Sequence, residues 1–129
     1  MKRNLTLTIT SLLSILLFAF HWVDEIARGM ERATLSSLGG VAILVVWLYG
    51  TLALPERRSG YVIMLLGSIV GSGVLVLHMR GAGLVGGRVA NTSGLFFWVF
   101  TLIALGAISA FSALLSARGL WSLRRGQSR

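Results

Sequence analysis

The chain has 129 residues, enough for one domain, and 55% of them are hydrophobic whereas only 12% are charged. Charged residues make up about a quarter of an ordinary globular domain, so this chain has too little polar surface for a soluble sphere of its size. Its net charge of +8 comes from short basic groups between apolar runs, with no basic face, which excludes a nucleic-acid partner. The absence of cysteine from the sequence excludes disulfides, thiolate metal sites and covalent haem attachment.

Four uncharged apolar runs follow one another along the chain and predict four transmembrane helices. They cover residues 5–23, 38–54, 61–79 and 94–117. At 1.5 Å per residue these runs span about 26 to 36 Å of helix, which is close to the hydrocarbon thickness of a bilayer. The first run follows a basic start, as in a signal peptide, but no small-residue cleavage site comes after it, so we expect a retained helix.

The connection at residues 55–60 predicts how the helices pair. Pro55 ends the second helix, and so short a turn makes the second and third helices antiparallel neighbours. The predicted fold class is therefore all-α. We expect one transmembrane domain over residues 1–129, built as a four-helix bundle of two helical hairpins. Its last part, residues 118–129, is expected to be a basic tail.

The distribution of basic residues predicts the orientation in the membrane. Four helices place both termini on one side, and that side carries eight basic residues, Lys2, Arg3, Arg57, Arg58, Arg118, Arg124, Arg125 and Arg129. The other side carries four, Arg28, Arg32, Arg80 and Arg88. Since basic loops stay inside, we expect cytoplasmic termini in a multi-pass protein of a bacterial inner membrane, with the lipid bilayer as its first partner.

A polar stretch at residues 21–28 ends the first apolar run and is the first candidate for a chemical site. On a helix its ionisable residues fall at i, i+3, i+4 and i+7 and share one face, which also carries Ser14 and Thr10. These ionisable residues are His21, Asp24, Glu25 and Arg28. His78 and Arg80 end the third run on the same outer side and complete the candidate cluster.

Glycines mark one face of the third helix. Gly60, Gly67 and Gly71 project onto it together with His78, and small residues at four-residue spacing allow close helix packing in lipid. The polar face of the first helix should avoid hydrocarbon, because unpaired polar groups there are costly. We therefore expect the two faces to meet and to bring His21 and His78 within reach of a shared ion, water or carboxylate.

The outer cluster allows several interpretations. The simplest is a ladder of ion pairs in the headgroup region, with the histidines as interfacial anchors or in an interhelical hydrogen bond. A divalent-metal site would use His21, His78 and a neighbouring carboxylate. A b-type haem would take the same two histidines as axial ligands. Acid–base catalysis on a lipid or small substrate is the last possibility.

The outer connection holds two motifs that do not predict a function. Residues 81–86 match G-x-G-x-x-G, but they follow a membrane helix rather than a strand, so a dinucleotide site is not expected. Residues 91–93 form a glycosylation sequon, which has meaning only in a secretory pathway.

The sequence as a whole favours a non-catalytic accessory or assembly subunit that packs with itself or with a larger membrane partner. No cofactor is favoured. One alternative is a small membrane enzyme or a redox or metal-binding protein that uses the outer cluster. A second alternative is an oligomeric transporter of small solutes, although no helix midplane carries the ionisable residue that ion relays use.

Overall fold

The computed structural model describes residues 4–80 and 93–126, and this part of the chain forms helices and no strand. The motif at 81–86, the first two residues of the sequon, and the residues before 4 and beyond 126 lie outside the described residues. The helices are Leu5–Ala27 (α1), Leu38–Leu52 (α2), Arg58–Arg80 (α3) and Leu95–Arg124 (α4), with a 3-10 turn at Leu35–Ser37 before α2.

Three of these helices are long and apolar enough to cross a membrane. They are α1 and α3, with 23 residues each, and α4, with 30 residues. The fourth helix, α2, is apolar but has only 15 residues, about 22 Å, and ends two residues before its predicted boundary. The all-α class is confirmed for the described residues, and the three long apolar helices support the membrane character expected from composition.

The helix ends follow local sequence signals. The side chain of Asn4 accepts a hydrogen bond from the Leu7 amide and caps the start of α1. Past the end of α1, Gly29 takes a left-handed conformation, and the next amide, that of Met30, donates to the Glu25 carbonyl. This is a Schellman ending, which glycine favours because it lacks a Cβ atom. The chain therefore turns back over the last turn of α1.

The last helix is longer than its apolar run. α4 continues seven residues beyond the predicted boundary at 117 and includes most of the segment expected to be a tail. Packing explains the extension, because Gly119 lies against the ring of Tyr61 on α3 and Leu120 packs against the same buried group. Residues 118–124 are therefore part of the packed helical structure.

The interior is more polar than the outside. Ten polar side chains are buried in the described part of the chain, against seven hydrophobic ones, whereas large apolar side chains are exposed along all four helices. This is the reverse of a water-soluble protein and fits a protein whose solvent is lipid. Trp47 of α2 sits at the centre, where its indole N–H donates to Ser11 of α1 and its ring covers Gly67 of α3.

Contacts define two ends of the molecule. At one end, the Asn4 amide donates a hydrogen bond to Glu56 in the α2–α3 turn. Glu56 also accepts from the Tyr61 hydroxyl, and the Tyr61 ring packs against Gly119 of α4. We call this the basic end. At the other end, the last turns of α1 and α3 meet the beginning of α4, and we call this the cluster end.

Candidate functional site

The cluster end gathers two histidines and one glutamate from two helices, α1 and α3. Glu25 lies one turn after His21 on α1, and its Oε1 atom is 3.7 Å from Nε2 of His21 and 2.6 Å from Nε2 of His78 on α3. The imidazole rings contact each other edge to face, with centroids 5.3 Å apart. The structure thus brings His21 and His78 to one carboxylate.

The hydrogen bonds of the other ring nitrogens determine where the protons lie. Nδ1 of His78 is 2.8 Å from the Val74 carbonyl, which can only accept, so this nitrogen carries a hydrogen. Nδ1 of His21 is 3.1 Å from the Thr101 hydroxyl, which donates its own hydrogen to the Trp98 carbonyl. The Thr101 oxygen therefore accepts from His21. In the neutral tautomer of each ring, the free lone pair is on Nε2 and faces Glu25.

The Nε2 atom of His21 has no hydrogen-bond partner among the described residues, although the side chain is only 2% exposed. A buried polar atom without a partner costs about 1–3 kcal/mol. The atom is aimed at a carboxylate oxygen that is too distant for a hydrogen bond. A positive charge between the two would satisfy both, since the imidazole and the carboxylate each offer a lone pair.

The three side chains have the composition and spacing of a metal site. One ligand atom from each of His21, Glu25 and His78 can be chosen so that all three lie within 4.8 Å of one another. A tetrahedral zinc ion with bonds of about 2.0–2.2 Å holds its ligands about 3.4 Å apart, so modest side-chain closure suffices. Each Nδ1–H is already fixed by an acceptor, as is usual for imidazoles that bind metals.

Trp98 of α4 fixes the positions of both imidazoles. Its ring centroid lies 5.2 Å from that of His21 and 5.3 Å from that of His78. The arrangement does not fit the haem alternative, because a haem held by two histidines needs a flat slot between their rings. Here the rings touch each other, and both present Nε2 to the same carboxylate.

A cavity of about 290 Å³ adjoins the cluster on the side of α2. Glu25 and His78 border it, together with Glu31, whose carboxylate accepts a hydrogen bond from the Trp22 indole at 2.7 Å. His21 is not part of its lining and is covered by α4 instead. Glu25 and His78 are thus reachable from the cavity, whereas His21 lies behind them against α4.

The remaining predicted members of the cluster have other roles. Asp24 accepts a hydrogen bond from Nε of Arg28 at 2.8 Å, and Nη1 of Arg28 donates to the Ser93 carbonyl just before α4. Through these two contacts, Arg28 joins α1 to the start of α4. Arg80 is exposed at the end of α3.

The glycine face of α3 packs against different partners from those expected. A Cβ atom at Gly67 would meet the Trp47 ring of α2, and one at Gly71 would meet Ser109 of α4. At Gly60 it would meet the backbone carbonyl of Leu54. The expectation that this face meets the polar face of α1 is therefore wrong for the glycines, whereas His78 at the end of the face does meet His21 and Glu25. The bulky indole of Trp47 covers Gly67, and α1 contacts the end of this face where Glu25 meets His78.

Sequence reasoning does not identify two residues of the site, Thr101 and Trp98. Both lie on α4, where a run of buried hydroxyl residues at helical spacing is the only signal available, and it consists of Thr101, Ser109, Ser112 and Ser116. The side chain of Trp98 is 2% exposed, and its local sequence does not indicate that it packs against the histidines.

Comparisons with known protein families, curated proteins and solved structures found no match to this chain. A function for this chain must therefore be inferred from the geometry of the cluster itself.

Proposed function

We propose that this protein is a multi-pass membrane protein that binds a divalent transition-metal ion through His21, Glu25 and His78. The observation that carries the proposal is the buried Nε2 of His21, which has no partner in the described structure and faces the carboxylate that His78 also contacts. Imidazole and carboxylate ligands together suit zinc and similar ions.

A proton is the alternative occupant of the site. At 2.6 Å, Glu25 and His78 need one hydrogen between them, carried either by the imidazole or by the carboxyl group. That proton satisfies His78 but leaves His21 without a partner. A metal ion satisfies both histidines at once, and this difference favours the metal.

The proposed ion keeps an open coordination position. Three protein ligands leave a fourth position of a tetrahedral ion to water or to a small ligand, which is the arrangement of catalytic zinc sites. The neighbouring cavity supplies the space, and the carboxylate of Glu31 on its wall adds a second negative charge near the ion. Binding would also tie α1 to α3 and so stabilise the fold.

We further propose that α2 crosses the membrane with the other three helices, as two helical hairpins with cytoplasmic termini in a bacterial inner membrane. The eight-to-four distribution of basic residues supports this orientation. The accessory or assembly role expected from the sequence stays a prediction. It is compatible with a metal site that serves only to hold the helices together.

Metal content of the purified protein tests the proposal. We expect about one zinc ion per chain after expression in zinc-supplemented medium, and a tetrahedral visible spectrum after exchange with Co²⁺. His21→Ala and His78→Ala should both purify without metal. Arg80→Gln is the matched control, because it changes an exposed residue at the same end and should keep its zinc.

Two results would contradict the metal assignment. One is wild-type protein that stays metal-free in micromolar zinc while it is folded and monodisperse. The other is equal zinc content in wild type and in both histidine variants. A metal-free, folded oligomer would support the accessory-subunit prediction instead.

A further inference from the structure

The basic end carries a groove that is apolar inside and positively charged at its mouth. Its volume is about 440 Å³, and it lies between α3 and the last two turns of α4. Leu65, Ala117 and Leu120 form the apolar floor, and Arg124 and Arg125 stand at the end of the helix. Trp121 forms one wall, and the guanidinium of Arg125 lies 4.8 Å from its ring centroid.

This end carries more basic than acidic side chains. Glu56 is the only acidic residue of the sequence near it, and both of its carboxylate oxygens already accept hydrogen bonds, from the Asn4 amide and the Tyr61 hydroxyl. Arg124 and Arg125 are exposed in the structure. Their guanidinium groups are therefore available to a negatively charged ligand from outside the chain.

We infer that this groove binds the phosphate headgroup and the first acyl carbons of an anionic phospholipid. The two arginines supply planar donors for a phosphodiester, and the apolar floor takes a hydrocarbon chain, so the groove matches an amphiphile rather than a free ion. Trp121 lies where tryptophan is favoured, at the boundary between headgroups and hydrocarbon. Basic pockets between membrane helices are known to bind such headgroups. The inference does not depend on the metal site.

Lipid retention tests the inference. Full-length protein in mild detergent would be incubated with dioleoyl phosphatidylglycerol or with dioleoyl phosphatidylcholine, and native mass spectrometry would count the lipids that stay bound. We expect phosphatidylglycerol to bind with clear preference. Arg124→Gln and Arg125→Gln should each weaken its apparent affinity about fivefold, the effect of one basic residue near an anionic surface.

Two further variants separate a groove from a diffuse basic surface. Arg58→Gln removes an equal charge from the same end without touching the groove lining, and lipid retention should stay at the wild-type level. Ala117→Phe fills the groove from an exposed position without any change of charge, and it should reduce retention as much as the loss of one arginine.

Three outcomes would overturn the inference. Equal retention of both lipids would show that the headgroup charge is not recognised. An Arg58→Gln effect as large as that of Arg124→Gln would show unspecific attraction to the whole basic end. Displacement of the lipid by millimolar inorganic phosphate would show that the arginines bind a free anion. The zinc-free His21→Ala protein should retain phosphatidylglycerol as wild type does, which keeps this test separate from the metal test.

Discussion

The two ends of the molecule use a glutamate in opposite ways. Glu56 at the basic end accepts hydrogen bonds from the Asn4 amide and the Tyr61 hydroxyl, and both donors carry a hydrogen at all times. Glu25 at the cluster end faces two imidazole nitrogens instead, and the protonated nitrogen of each ring is already engaged elsewhere. The carboxylate of Glu56 thus finds its hydrogen-bond donors within the chain, whereas that of Glu25 needs a proton or a cation.

This difference distinguishes a structural carboxylate from a ligand. Glu56 joins the start of α1 to the α2–α3 turn, so its role is structural. At Glu25, the lone pairs of the carboxylate and of the two imidazoles point toward one another. They repel one another unless a proton or a metal ion lies between them. The number of acidic residues at each end does not reveal this. The donors and acceptors around each carboxylate do.

The largest difference between the two ends is expected in zinc binding when each glutamate is replaced. Glu25→Gln should weaken zinc binding by more than about 100-fold, since changing a residue that only orients a ligand already costs 10- to 100-fold. The matched Glu56→Gln variant should bind zinc within about twofold of wild type, because Glu56 lies at the other end and is not one of the three proposed ligands. Competition titration with a chromogenic chelator measures both. Equal losses in the two variants would remove the distinction between the ends.

The packing between the two ends should be the next most sensitive feature. Gly71→Leu should lower the free energy of unfolding by about 3 kcal/mol or more, because its side chain would collide with Ser109 and with the Trp47 ring. Gly73→Leu is the control on the same helix, since a Cβ atom there meets nothing within 4 Å. Thermal unfolding and oligomer size in detergent would be measured for both. An unchanged midpoint for Gly71→Leu would contradict the observed packing.

Two buried threonines, one at the cluster and one away from it, allow a further comparison of zinc affinity. Thr101→Val removes the acceptor that orients His21, and we expect zinc affinity to fall about 10-fold. Thr51→Val removes a buried hydroxyl bonded to Ser11 and to the Trp47 carbonyl, away from the cluster, and zinc affinity should not change. Both variants should lose about 1 kcal/mol of stability. Isothermal titration of zinc in detergent distinguishes them, and equal affinities would show that Thr101 does not orient the histidine.

The smallest effect concerns the ion pair beside the metal cluster. Asp24→Asn removes the charged partner of Arg28 but not its bond to the Ser93 carbonyl, and we expect a loss of about 0.5 kcal/mol that shrinks in high salt. Zinc affinity should stay within about twofold, because Asp24 is not among the three ligands. Unfolding midpoints at low and high salt would show the loss. A zinc affinity that falls as far as in Glu25→Gln would place Asp24 in the metal site.

Much of the cluster is visible in the sequence because it lies on one helix. His21, Asp24 and Glu25 are separated by one turn or less, so helical spacing alone puts them on one face. His78 is expected beside them because the third apolar run also ends at a histidine. The first and third runs have similar lengths, so their ends lie at the same end of the bundle. Two of the pairs, His21 with Glu25 and Asp24 with Arg28, are one turn apart on α1, so helical spacing also favours them. The contact between Glu25 and His78 joins two helices and depends on how α3 packs against α1.

The helices, their approximate lengths and their apolar surfaces follow from the sequence, because these depend on local hydrophobic runs and on single residues such as Pro55 and Gly29. The partners of each helix face are visible only in the folded structure. In lipid, apolar side chains have no reason to prefer the interior, so hydrophobicity cannot tell which face is buried. Fit and hydrogen bonding decide instead. Trp47 therefore fills the glycine face of α3, and Thr101 and Trp98, distant in the sequence, hold the two histidines in place.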